Sequence, residues 1–287
     1  MINIYSKIDV VIIPVAGLGT RFYPITKVIP KTMLPIINKP TLQYIIEEVV
    51  ESGVEEIIIV MNENQQSIVN FFDSNFIDSE KSDELKKLKR LCDKIKINYV
   101  IQPRPLGIGD AIIRCKKLIN NRDFGLVLGD DIIYKNNKPI YGIGSLILKY
   151  QKNKASYVGI KKVLLEETKK YGIVQINEGN KITNIREKPK INPPSNYAII
   201  GRYIFENKII DYLEKLDLDN ENEIKITDAI NEMCKVENIY ASQIEGIRYD
   251  VGDYTEYVIA NIEYALNNKI VGNKIIEYIK NKLQNTL

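Results

Sequence analysis

The chain has 287 residues, 45% apolar and 27% charged, which allows a sizeable buried core and excludes a disordered, low-complexity polypeptide. Lys and Arg number 40 against 37 Asp and Glu, so the net charge of +3 offers no broad basic field for nucleic acid. Histidine is absent, which excludes Ser-His and Cys-His pairs, histidine general bases and three-histidine metal sites.

Three cysteines (Cys92, Cys115, Cys234) stand far apart without a CxxC spacing and read as free thiols of a reducing compartment. The opening MINIYSKIDVVIIPVAG lacks the basic start and long apolar stretch of an export signal. No apolar run reaches the roughly 18–20 residues of a membrane span. A soluble cytoplasmic protein is expected, bound neither to nucleic acid nor to membrane.

In chain order, Val10–Val15 reads as a short strand apolar on both faces, as a parallel sheet requires. It runs into Ala16-Gly17-Leu18-Gly19-Thr20-Arg21, a glycine loop that can bring backbone N–H groups close to a polyphosphate, with Arg21 and Lys31 at hand to neutralise it. Thr41–Ser52 carries Leu42, Ile45, Ile46, Val49 and Val50 at helical spacing, with Gly53 as a stop. Ile57–Met61 is a second buried strand, giving a βαβ unit with a long first loop. Asp78–Lys96 is dense in charge, and Leu85, Leu88, Cys92 and Ile95 predict an amphipathic helix with one solvated face. Strands at Ile97–Ile101 and Gly125–Leu128 flank a helical pattern of Ala111, Ile112, Cys115 and Leu118.

From Tyr157 the texture turns to β segments: Tyr157–Val163, Gly172–Ile176, Lys181–Arg186 and Tyr197–Phe205. Helical patterns follow at Lys208–Lys215 and Ile226–Cys234, then a short strand near Ile239–Ile244, and Tyr254–Leu266 and Lys274–Leu283 close the chain as helices. The acidic stretch Asp217–Glu223 lacks EF-hand spacing and reads as a surface loop. The alternation predicts an α/β fold, a Rossmann-like doubly wound mixed sheet with flanking helices and a small β-rich portion. Without repeats or a flexible linker, residues 1–287 read as one domain.

The glycine loop has three readings. A dinucleotide fingerprint needs a third small residue, where Phe22 stands. A P-loop needs glycine directly before Lys-Thr, but Lys31-Thr32 follows Pro30. A tight structural turn would satisfy the two glycines alone. The wider pattern, Gly17-x-Gly19-Thr20-Arg21-x-x-Pro24-x-Thr26 followed by Pro30-Lys31-x-x-Leu34-Pro35, resembles the signature of the sugar-1-phosphate nucleotidyltransferases, and within them the bacterial UTP–glucose-1-phosphate uridylyltransferases. The resemblance continues through Gly107–Ala111, Leu128–Asp131, Tyr171-Gly172, Glu187-Lys188-Pro189, Ser195–Tyr203, Glu223–Ala229 and Tyr249–Gly252, over nearly the whole chain.

That resemblance implies attack of a sugar-1-phosphate oxygen on the α-phosphorus of UTP, with pyrophosphate leaving. The nucleophile is already ionised, which agrees with a chain that lacks histidine. By the same resemblance Ala16, Gly17, Gly19 and Thr20 lie against the nucleotide, Gln102 and Gly107 read the base, and Arg21 and Lys31 hold the triphosphate. Gly172, Glu187, Lys188 and Arg202 fall to the sugar phosphate, although Arg202 could simply pair with a carboxylate. Asp130, after a strand end where open α/β sheets bind ligands, and Asp250 would hold Mg2+. Asp131 reads as a turn or N-cap residue.

The halves are then a nucleotide-binding part of about 1–135, a sugar-phosphate part of about 136–253, and C-terminal helices of about 254–287. Ala16, where thymidylyl relatives carry glycine, and the insertion Phe71–Lys96 point to the uridylyl branch; Val251, where many relatives have cysteine, departs from it. UTP and glucose 1-phosphate are the implied substrates, and the apolar C-terminal helices suit a homodimer or homotetramer. A relative using dTTP or another sugar phosphate, a catalytically silent regulatory homologue and, more distantly, an NAD-binding dehydrogenase remain as alternatives.

Overall fold

The computed structural model describes residues 7–284 except 79 and 221, so the first six residues of the opening segment lie outside the described residues. In chain order the first half carries β1 (Val10–Pro14), β2 (Pro35–Ile36), β3 (Lys39–Pro40), α1 (Thr41–Glu51), β4 (Glu56–Met61) and α2 (Gln66–Phe72). There follow α3 (Asp83–Cys92), β5 (Lys96–Ile101), α4 (Gly107–Arg114), α5 (Lys116–Ile119), β6 (Phe124–Val127) and β7 (Asp131–Tyr134). The second half carries α6 (Ile143–Asn153), β8 (Ser156–Lys162), β9 (Gly172–Ile176), β10 (Ile182–Glu187) and β11 (Tyr197–Phe205). It ends with α7 (Ile209–Leu213), α8 (Ile226–Cys234), β12 (Ile239–Gln243), β13 (Ile247–Asp250), α9 (Tyr254–Leu266) and α10 (Gly272–Gln284). None of the described helices is long and apolar enough to cross a membrane.

The main sheet runs β10-β9-β11-β6-β1-β4-β5, with β8 beside β11 and β12 beside β8. Strands β5, β4, β1 and β6 are parallel, and the long β11 runs against β6 at one end and pairs β9 at the other. The mixed α/β sheet predicted from the sequence is thus present. Its two faces are legible residue by residue. Val11, Ile13, Ile57 and Ile59 enter one core with Leu42, Ile45, Ile46 and Val49 of α1, whereas Val10, Ile12, Ile58 and Val60 enter the other with Ala111 and Ile112 of α4. Alternate side chains of one strand point to opposite faces, and each fully buried aliphatic contributes about 1.5–3 kcal/mol.

Some elements depart from the sequence reading. The helical pattern through Leu118 is interrupted at Cys115, where α4 ends and α5 begins. The helix α6 and the antiparallel ribbon β7–β13 were not expected; in the ribbon Asp131 stands opposite Asp250. The charged segment forms α3 with Ser82 as its N-cap and Leu88 buried, the amphipathic helix that was predicted. The acidic loop closes a turn in which Asp219 accepts the Glu223 N–H at 2.9 Å.

Arg202 is corrected by the fold. Its side chain is 0% exposed, with Nε and Nη2 donating to the two Glu48 carboxylate oxygens at 2.7 Å each. Nη1 and Nη2 also donate to the carbonyls of Gly201 and Asp131, and the side chain lines neither cleft, so it is out of reach of a sugar phosphate. Glu48 also accepts the Ile143 N–H at 2.8 Å and so caps α6 from α1. The fork joins α1, α6, β7 and β11. Removing the cation alone would leave a buried carboxylate uncompensated, so Arg202→Met should lower unfolding free energy by about 3–5 kcal/mol, with part returned by adding Glu48→Met. Urea denaturation measures both; an unchanged midpoint in the single variant would contradict this account.

Candidate active site

The glycine loop leaves the carboxyl end of β1. Gly19 has φ 62°, and a Cβ there would stand 3.0 Å from the Cβ of Lys31, so the loop lies directly on the lysine. Thr26 Oγ1 donates to the Gly19 carbonyl at 2.8 Å and pins this turn. Phe22 anchors the loop from outside, its ring 4.5 Å from Tyr254 and 5.5 Å from Tyr257 of α9. A cleft of about 270 Å³ opens beside the loop, lined among others by Ala16, Gly17, Lys31, Gln102, Gly107 and Asp130. Gly19 and Thr20 lie outside its lining: Gly19 supports Lys31 from behind, and Thr20 is exposed at the start of the next turn.

Gln102 is 4% exposed and its orientation follows from its partners. Its Nε2 donates to the Gly107 carbonyl at 3.0 Å and to Asp110 Oδ2 at 2.7 Å. Both are acceptors, so the nitrogen must face them and the amide oxygen is left to accept from a ligand. Gly107 has φ +88°, and a Cβ there would lie 2.8 Å from the Ile224 carbonyl oxygen, so this wall of the cleft demands glycine.

Asp130 follows β6 and also lines a larger cleft of about 930 Å³, into which Arg21, Glu187, Lys188 and Asp250 face. Lys31 Nζ lies 2.6 Å from Asp130 Oδ2. A Cβ placed on Gly252 would sit 3.0 Å from Asp130 Oδ2, 3.0 Å from Asp250 Oδ1 and 3.2 Å from Lys31 Nζ. Two carboxylates and an ammonium thus converge on a point that glycine keeps open. Burial works against the charge of Asp130, but Lys31, Arg248 and Arg21 outweigh it and hold the carboxyl below its ordinary range. Asp250 goes the other way: burial, then repulsion from Asp131 and Asp130, raise it against the pull of Arg248.

Among the described residues no three His, Cys, Asp or Glu side chains converge as a metal cage. Magnesium does not require one, since it takes one or two carboxylates and completes its shell with phosphate oxygens and water. The donor set and the open point at Gly252 fit that ion.

Across the larger cleft, Gly172 and Glu187 pair on adjacent strands, and a Cβ on Gly172 would come 3.1 Å from Glu187 Oε2. Burial raises the Glu187 carboxyl above its ordinary range, with Lys188 and Lys225 opposing. Lys188 leaves β10 at φ 41°; its N–H donates to the Tyr171 carbonyl at 3.0 Å, while its side chain stays exposed to the cleft. The structure therefore gathers Ala16, Gly17, Lys31, Gln102, Gly107 and Asp130 in one cleft. Arg21, Gly172, Glu187, Lys188 and Asp250 join Asp130 in the other.

Sequence reasoning missed Lys169, Lys170 and Arg248 in this lining and the close approach of charged groups to Gly252, and it misread Asp131. Asp131 is no turn residue: it begins β7 and is buried in an ion pair with Arg248. The spacing Arg248-x-Asp250 carried a signal, since alternate residues of a strand share a face.

The nucleotidyl transferase family matches residues 10–267. The UTP–glucose-1-phosphate uridylyltransferase of Bacillus subtilis strain 168 is 38% identical over 289 residues, covering 97% of this chain and 98% of the relative. The crystal structure of a UDP-glucose pyrophosphorylase complexed with UDP-glucose matches with a TM-score of 0.85 at 38% identity, over 91% of this chain and 100% of that one. A UTP-bound UGPase from Acinetobacter baumannii matches with a TM-score of 0.84 at 31% identity, over 95% and 99%.

The convergence on Gly252 generates a direct test. In Gly252→Ala the methyl enters the space between the two carboxylates, so the thermal midpoint should hold within a few degrees. Mn2+ affinity, read by electron paramagnetic resonance titration, should fall on the order of 10- to 100-fold. Unchanged Mn2+ affinity would show that the two aspartates do not share a cation.

Proposed function

The chain belongs to the nucleotidyl transferase family, among its bacterial UTP–glucose-1-phosphate uridylyltransferases, and from that premise we propose how its residues carry out the reaction. The enzyme joins UTP and glucose 1-phosphate to give UDP-glucose and pyrophosphate. A phosphate oxygen of the sugar forms the new bond to the α-phosphorus of UTP, and the bond from that phosphorus to the β-phosphate bridging oxygen breaks. Two polyanions must meet in line, so positioning and charge neutralisation set the barrier, and no proton need be removed from the nucleophile.

The observation that carries the residue roles is that Asp130 lines both clefts. The smaller takes the nucleotide. There the free oxygen of Gln102 would accept the N3–H of uracil, and Ala16 and Gly17 would lie against nucleoside and phosphates. Lys31 there, and Arg21 from the adjoining larger cleft, would hold the triphosphate, Lys31 exchanging Asp130 for phosphate oxygens. The larger cleft takes the sugar phosphate: Lys188 would meet its phosphate, and Glu187 with the backbone at Gly172 would meet its hydroxyls. Magnesium held by Asp130 and Asp250 would draw charge from the phosphate oxygens as it develops. The division near residue 135 would be one of function within a single sheet, in which β6 and β11 pair across it. Exposed Val258, Ile259 and Ile262 on α9 and Ile270 and Tyr278 beyond offer a face to a second copy, and the free thiols suit a cytoplasmic setting.

The test is pyrophosphate release over a grid of nucleoside triphosphates with glucose 1-phosphate. UTP with Mg2+ should be turned over best. CTP, whose N3 accepts where uracil donates, should fall by at least about 100-fold because two acceptors would face each other. Activity undiminished by EDTA would remove the roles given to Asp130 and Asp250, and equal turnover of CTP would remove that of Gln102. Light scattering of the same preparation should give a dimer or tetramer; a monomer would remove the proposed role of the α9–α10 face.

A further inference from the structure

The ribbon β7–β13 places Asp131 directly opposite Asp250. Like charges facing each other across an antiparallel pair destabilise it, so something must compensate. Arg248 precedes Asp250 by two residues and shares its face of the strand. Its Nη2 is ion-paired with Asp131 Oδ1 and lies 3.6 Å from Asp250 Oδ2. Asp131 is itself fixed, because its other oxygen accepts the Gly201 N–H at 2.8 Å.

The opposite flank of the same guanidinium reaches the sugar side. Arg248 Nη1 donates to the Tyr171 hydroxyl at 3.3 Å, and the guanidinium carbon stands 5.2 Å from the Tyr171 ring centroid. Tyr171 precedes Gly172 and receives the Lys188 N–H on its carbonyl. Arg248 is 9% exposed, lines the larger cleft, and its Nε has no protein acceptor among the described residues. Buried donors are ordinarily met, so this one is left for a bound molecule or water.

We propose that Arg248 is a positioning residue that sets the metal carboxylate Asp250 and the sugar-binding segment Tyr171–Lys188 in one fixed geometry, with Asp131 as its anchor. The inference rests on the metal and sugar roles proposed above for Asp250, Gly172 and Lys188. A guanidinium suits this task because it is planar and presents its donors in a rigid fork; a lysine ammonium supplies the charge without the fork.

The test is therefore Arg248→Lys, which keeps a cation between the two aspartates, with binding read directly. Calorimetry in EDTA gives the affinities for UDP-glucose and for UTP without metal, and Mn2+ affinity is read by electron paramagnetic resonance. The variant should lose on the order of tenfold or more in metal-free UDP-glucose affinity and in Mn2+ affinity, as supporting-shell substitutions do. UTP affinity in EDTA should stay within about twofold, since the glycine loop and Gln102 are untouched. Unchanged UDP-glucose affinity in EDTA overturns the proposal whatever Mn2+ does, and an equal loss of UTP affinity overturns it in favour of a general structural role. Tyr171→Phe, which removes only the hydroxyl, should reproduce part of the UDP-glucose loss. Asp250→Asn in the Mn2+ arm tests the metal role separately: unchanged Mn2+ affinity there would sink that role, while the EDTA arm still decides Arg248.

Discussion

Two carboxylates from distant parts of the chain are forced to share one point. Asp130 Oδ2 and Asp250 Oδ1 each lie 3.0 Å from the position a Cβ on Gly252 would take, so they stand at most about 6 Å apart. Two negative charges at that distance repel by on the order of 3 kcal/mol at the effective dielectric of a partly buried site. The fold answers with Lys31 on Asp130 and Arg248 beside Asp250. Asp250 still feels the repulsion of Asp130 and Asp131, so the cluster is well suited to a ligand that brings a cation with it. The glycine loop, the strand end at Asp130 and the β7–β13 ribbon all serve to bring these charges together.

The topology explains why the two clefts meet at this point. Parallel strands β1 and β6 are neighbours inside the sheet, and their carboxyl ends give the wall of the smaller cleft and Asp130. The long β11 then carries the sheet into the second half, where β9 and β10 supply Gly172, Glu187 and Lys188. Asp130 belongs to both clefts because it sits where the sheet passes from parallel to antiparallel pairing. A chain without histidine can run this chemistry, since the attacking phosphate oxygen needs neutralisation and alignment rather than a general base.

Much of this was legible in the sequence. Long apolar strands such as β1, β4 and β11 announce themselves, and the glycine loop with its flanking arginine and lysine is local in sequence. What escaped depends on contacts between distant residues. Helix α6 has no local cap; its first N–H is capped by Glu48 from α1, so no Ser, Asp or Asn marked its start. The ribbon strands are four residues each, too short to show a period. Arg202 looked like a substrate cation because nothing near it in sequence reveals the buried carboxylate that consumes it. Asp131 looked like a cap because its partner, Arg248, is 117 residues away.

On the function proposed above, one divalent cation would lie between Asp130 and Asp250 and displace the Lys31 ammonium towards the phosphates. A crystal grown with Mn2+ and UDP-glucose measures it directly by anomalous diffraction. A single strong peak about 2.1 Å from one oxygen of each aspartate is expected, with Lys31 turned onto a phosphate oxygen. A peak elsewhere, or Lys31 still bound to Asp130 with no metal between the aspartates, would contradict it.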